Sequence, residues 1–129
     1  MSPRSTPLVP QSLVEHAVAT SVSDDCIAIV RDQTSANLRW ANNTLTTNGV
    51  MHGVSVTIIS FVHLDGGVAT GSVTGSASDQ AQVGALVDAA DAAARASTPA
   101  EDAHPLVADA PDAGDWDEAP VPTDIGVYA

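Results

Sequence analysis

Apolar positions change period along this chain. Leu13, Val14, Ala17, Val18 and Ser21 fall at i, i+1, i+4, i+5 and i+8. That spacing is one face of a helix, and it predicts a helix from Gln11 until Ser23, Asp24 and Asp25 break the pattern. Period two follows. Residues 26–30 are apolar and β-branched, as in a strand covered on both faces. Ala36, Leu38 and Trp40 alternate with Asn37 and Arg39, which predicts a half-buried strand. Asn42 and Asn43 supply a tight turn, since Asn tolerates positive φ, and 45–50 is the return strand. Residues 53–62 carry two interleaved apolar sets, the strongest strand signal. After a turn at 63–67, residues 68–74 pair back.

The helical period then returns. Asp79 with Gln82 three residues later resembles a capping box. Val83, Leu86, Val87, Ala90 and Ala94 make a narrow apolar stripe, and the small alanines let this helix lie close to a sheet. Asp88 and Asp91 read as lying off the stripe. Asp91 is spaced to pair with Arg95, which sits near the C-terminus where the helix dipole favours a cation. The expectation is an α+β fold: an antiparallel meander of about five strands, each joined to the next by a short turn, with two helices packed on it.

The flanks differ in character. Residues 1–10 hold three prolines and no apolar period, a flexible leader. Residues 11–98 are the expected folded domain. Residues 99–129 contain five of the eight prolines, eight of the 16 acids and no basic residue, which reads as an acidic extended arm leading toward a C-terminal domain outside this chain. Trp116, Ile125, Val127 and Tyr128 are out of keeping with a purely solvating arm and are candidate anchors for a partner surface.

Composition narrows the function classes. With 129 residues, one domain is expected. Aromatics are only 3%, so the core must be built from small aliphatic side chains. Sixteen acids face four arginines and no lysine, a formal charge of −12 that repels phosphate backbones and anionic lipid. Neither nucleic acid nor a membrane is an expected partner. Cys26 is the only cysteine, so no internal disulfide forms. No apolar run approaches the ~18 residues of a membrane span, and the default location is cytoplasmic.

Candidate chemistry is sparse. His16, His52, His63 and His104 show no helical i, i+3 or i, i+4 ligand spacing, so no metal site is expected within the chain. Cys26 begins an apolar strand, where cysteine serves as a small hydrophobe. Gly71-Ser-Val-Thr-Gly75-Ser76 precedes a helix but lacks the lysine of a phosphate loop, and its glycines read as the end of a strand. The acids at 112–118 lack the spacing and the central glycine of a calcium loop.

The order helix, meander, alanine-rich helix and acidic connector resembles the N-terminal domain of the TldD/PmbA family, the modulator-of-gyrase proteins. The resemblance rests on 38–45 (Leu-Arg-Trp-Ala-Asn-Asn-Thr-Leu), on Gly53-Val-Ser-Val56, on Gly71-Ser-Val73 leading to Ser78-Asp79, and on the helix ending at Arg95-Ala. Asp115-Trp116 followed by Ala119-Pro120 is similar to the connector of actinobacterial PmbA-like members. Many members carry an arginine in the strand beginning at Gly53, where this chain has Ser55 and Thr57. The resemblance implies a zinc metallopeptidase system acting on peptides or unfolded segments. It implies two related subunits, a TldD-like one with a His-Glu-x-x-x-His motif in its C-terminal domain and a PmbA-like one without the ligands. No catalytic residue of the family transfers to a position here. The resulting expectation is a non-catalytic N-terminal domain that contributes a subunit contact and a peptide cleft, in which an exposed strand edge would hold an extended peptide by main-chain hydrogen bonds, with Thr44, Thr46 and Asn48 as its candidate residues. It would hold no cofactor itself, and its partner would be either a zinc-bearing TldD-like subunit or its own C-terminal domain. The alternative is a free-standing acidic interaction module.

Overall fold

A computed structural model describes residues 9–102, 104–107 and 114–128, without the side chains of 46–48 and 128. The elements run α1 (Pro10–Thr20), β1 (Asp25–Ala41), β2 (Thr44–Leu64), β3 (Gly67–Ser76), α2 (Gln80–Ala96) and a short 3-10 turn, Ile125–Tyr128. The α+β class and the meander hold. The strands form one antiparallel sheet in the order β1-β2-β3.

There are three long strands where the apolar pattern predicts about five. Residues 31–35 and 51–53 interrupt the alternation without a turn residue pair, and the backbone runs on through them as strand. Apolar alternation reports a covered apolar face, and here 51–53 are exposed while 31–35 are polar and at most half-buried. The chain reverses only at its strong turns. Asn42 and Asn43 both adopt positive φ (52° and 60°), the geometry of a two-residue hairpin turn whose twist suits the strands. The second reversal is at Asp65 and Gly66.

Both helices lie on one face. On β2 the even-numbered residues point to them: Val56, Ile58 and Ser60 are fully buried. Leu13 and Ala17 of α1, with Val83, Val87, Ala90 and Ala94 of α2, close the layer. Each large aliphatic side chain buried this way contributes about 1.5–3 kcal/mol. The core has no bulky aromatic, so it depends on close approach. Gly71 of β3 permits it: a Cβ there would stand 2.3 Å from the Ala94 backbone nitrogen and 2.5 Å from the Ala90 oxygen. The glycine read as a strand ending is therefore a mid-strand contact with α2.

The N-terminus of α2 is capped as its sequence predicts. Asp79 accepts from the Gln82 N–H at 2.8 Å, while the Gln82 side chain reaches back to the Ser78 N–H at 2.7 Å. After α2, Ala100 pairs with Val68 at the start of β3 through two backbone hydrogen bonds. Among the described residues no helix is long and apolar enough to cross a membrane.

Candidate functional site

Asp91, which its spacing assigns to a surface pair with Arg95, accepts four hydrogen bonds. Instead of lying at the surface it is 2% exposed. Its Oδ1 accepts from Ser21 (2.8 Å), Ser23 (2.6 Å) and Ser60 (2.6 Å), and its Oδ2 from the Val22 N–H (3.1 Å). Burial alone would raise its pKa. The hydrogen bonds from Ser23, Ser60, Val22 and Ser21 outweigh burial and hold the carboxyl below the ordinary aspartate range. Cys26 lies beside this cluster. Burial pushes its thiol pKa up, a hydrogen bond with Ser21 pulls it down, and the charge of Asp91 pushes it up again, with a net rise. Through these bonds Asp91 ties the end of α1, β2 and α2 together.

The strand histidines are engaged in pairs. His52 Nε2 stands 2.6 Å from Asp32 Oδ1, across the β1-β2 ladder. His63 Nε2 stands 2.9 Å from Asp25 Oδ2, and the His63 N–H donates to Asp24 at 2.7 Å. Among the described residues no three His, Cys, Asp or Glu side chains converge on a point where a metal ion would sit. The zinc that the resemblance implies thus finds no fitting ligand set there.

The sheet itself offers a surface. Pairing between β2 and β3 ends at Ser55 and Ser76, whereas pairing between β1 and β2 continues to Ala41 and Thr44. The far part of the β1-β2 hairpin, residues 31–41 and 44–54, therefore projects past β3 as a two-stranded ribbon roughly 30 Å long. Its β2 strand has one edge with no strand beside it among the described residues. Thr44, Thr46 and Asn48 all lie on this part of β2, and the side chains of Thr46 and Asn48 are outside the described residues. Thr44 is exposed next to the turn. A bulge between Arg39 and Trp40 sets Trp40 opposite Leu45; both are exposed, as are Val50 and Met51.

Two shallow hollows flank this edge where β3 stops. One, of about 290 Å³, opens on the face away from the helices and is lined mainly by Arg31, Gln33, Ser35, Met51, Ser55 and Ser76. The other, of about 400 Å³, lies on the helix side against Ala77, Ser78 and Gln82. His52, Gly53, Val54 and Ser76 border both. Sequence reasoning named the strand but not Arg31 or the hollows. The signal available was the glycine at 53 within a strand, which marks a place where another backbone can approach.

Of the anchor candidates, Trp116 packs near Pro10, Val14 and Val30, and its indole N–H donates to Glu15 at 3.1 Å. It remains 40% exposed. The neighbouring Gln11 side chain donates to the Glu118 carbonyl at 2.7 Å. Ile125 is half-buried, Val127 is exposed, and the 3-10 turn touches β1 and β2. The Tyr128 side chain is outside the described residues, as are the leader through residue 8 and arm residues 103, 108–113 and 129.

Residues 26–97 match the family model described as PmbA/TldA metallopeptidase domain 1. The match begins at Cys26, the second residue of β1, and ends just after α2, so it takes in the sheet but for Asp25, together with the second helix. No curated protein matches the chain.

Proposed function

The chain belongs to the PmbA/TldD metallopeptidase family, whose first domain it carries, and from that premise we propose that it is a non-catalytic domain of a PmbA-like subunit. In this reading the chain holds a peptide or a partner strand, while hydrolysis takes place at zinc bound elsewhere in the assembly. Residues 11–98 are the domain and 99–129 the connector. The assembly works in the cytoplasm on peptides or unfolded segments.

One observation carries the proposal: among the described residues, no strand pairs with the β2 edge beyond the end of β3. A free edge with a hollow on each side holds an extended chain by main-chain hydrogen bonds, whatever its side chains. The exposed Trp40, Leu45, Val50 and Met51 give the same ribbon apolar area for a subunit contact. The non-catalytic part is supported by the described residues, among which no three His, Cys, Asp or Glu side chains converge as metal ligands.

The test is titration calorimetry of a longer protein containing this domain against a family member that carries His-Glu-x-x-x-His. Association at micromolar concentration is expected. Trp116→Ala should weaken it by about 2 kcal/mol, beyond what the isolated chain loses with the Glu15 bond and the contacts near Pro10 and Val14. No association would favour the free-standing module. An affinity unchanged by Trp116→Ala would remove the side chain from the partner surface and leave it only its contacts with α1.

A further inference from the structure

We infer that the ribbon edge selects extended segments carrying an acidic side chain, through Arg31. The inference rests on the strand-edge reading above and specifies its ligand. The Val54 carbonyl points to the β3 side, since it accepts from the Ala77 N–H (3.3 Å) just where the chain turns away into α2. Backbone polar groups of a strand alternate sides, so His52 and Val50 present their N–H and C=O groups along the same edge. An incoming strand that bonds to them continues the line of β3 beyond Ser76.

Alternate side chains of that strand fall into the two hollows. The hollow away from the helices has a distinct charge. Its lining contains Arg31 and no acid, in a chain of net charge −12. Arg31 is exposed and makes no salt bridge among the described residues, and its neighbour Asp32 is turned to the opposite face to meet His52. Gly53 leaves the path open, because its missing side chain faces this hollow with nothing within 4 Å of a Cβ built there. The incoming strand lies two strand spacings from β1, about 9–10 Å. Arg31 pairs with Ser55 and Gln33 with Gly53, so Arg31 reaches the incoming strand diagonally, past the open Gly53 position, and a glutamate reaching back completes the span. The chain's overall negative charge is screened beyond about 8 Å at physiological salt, so the local cation decides what binds.

The experiment uses the full 129-residue chain and end-blocked peptides of alternating Thr and Val with one central residue varied, Glu or Gln. Amide NMR reports contact and exchange protection at Val50 and His52, and titration gives affinity. The Glu peptide should protect both amides and bind about fivefold or more tightly than the Gln peptide, as a charge-assisted hydrogen bond requires. In Arg31→Gln, whose fold is checked by circular dichroism, that preference should vanish. In Arg31→Glu, a Lys peptide should become the better ligand. Equal binding of Glu and Gln peptides, with both amides protected, would overturn the role of Arg31 and leave the strand edge standing. Failure of every peptide to protect Val50 and His52 would overturn both.

Discussion

Replacing Gly71 by alanine tests whether the thin core depends on close approach of α2 to the sheet. The new Cβ would stand 2.3 Å from the Ala94 nitrogen, 2.5 Å from the Ala90 oxygen and 2.8 Å from the Ala93 carbonyl carbon. Ordinary contact needs about 3.5–4.0 Å, so α2 must lift by roughly 1 Å. These opposing atoms are helix backbone and have no rotamer to escape into. The lift would also part Val83, Val87, Ala90 and Ala94 from Val56 and Ile58, all fully buried. Overpacking by one methyl costs about 1–3 kcal/mol, and a rigid obstacle places this case near the top of that span. For a domain of this size, that is a fall in melting temperature of roughly 10 °C. Gly84→Ala is the matched control. It lies within α2 with nothing within 4 Å of its Cβ position, so it should stabilise by about 0.5–1 kcal/mol through helix propensity. Urea unfolding followed by far-ultraviolet circular dichroism measures both. If Gly71→Ala lies within about 0.5 kcal/mol of wild type, comparable to a neutral surface change, the close-packing argument fails.

Asp91→Ala should destabilise by about 3 kcal/mol or more, because three serine hydroxyls and the Val22 N–H lose their acceptor in a buried site. Asp91→Asn, which keeps one acceptor oxygen, should lose less in the same urea assay. The depressed pKa of Asp91 fixes a pH window: its contribution is complete above the unfolded aspartate value of about 3.9 and is lost as pH falls through the lower folded value. The stability gap between wild type and Asp91→Ala should therefore be flat from about pH 5 to 7 and close below about pH 4; a gap unchanged at the acid end would contradict the assignment. Cys26, with its raised thiol pKa, should react with iodoacetamide at neutral pH much more slowly in the folded chain than in urea, and equal rates would show an accessible thiolate.

Local chemistry settled much of this fold before any tertiary contact. Asn42 and Asn43 turn the first hairpin because their own φ preferences allow it. Asp79 and Gln82 start α2 through bonds reaching only a few residues. The stripes of Leu13 with Ala17 and of Val83, Val87, Ala90 and Ala94 name the helix faces that are buried. The family resemblance rests on such stretches in order. Other features depended on what lies across the fold. Asp91 reads as an exposed partner of Arg95 because the serines that hold it come from α1's end and from β2, far away in sequence. Strand length was hidden because the polar residues at 31–35 continue the strand outside the apolar core and do not mark its end. Gly71 looks like a strand terminus until α2 is laid on it, and Arg31 acquires meaning only where β3 stops. Periodicity tells which face a residue occupies; what stands opposite that face, and where a neighbouring strand ends, is decided by packing between distant segments.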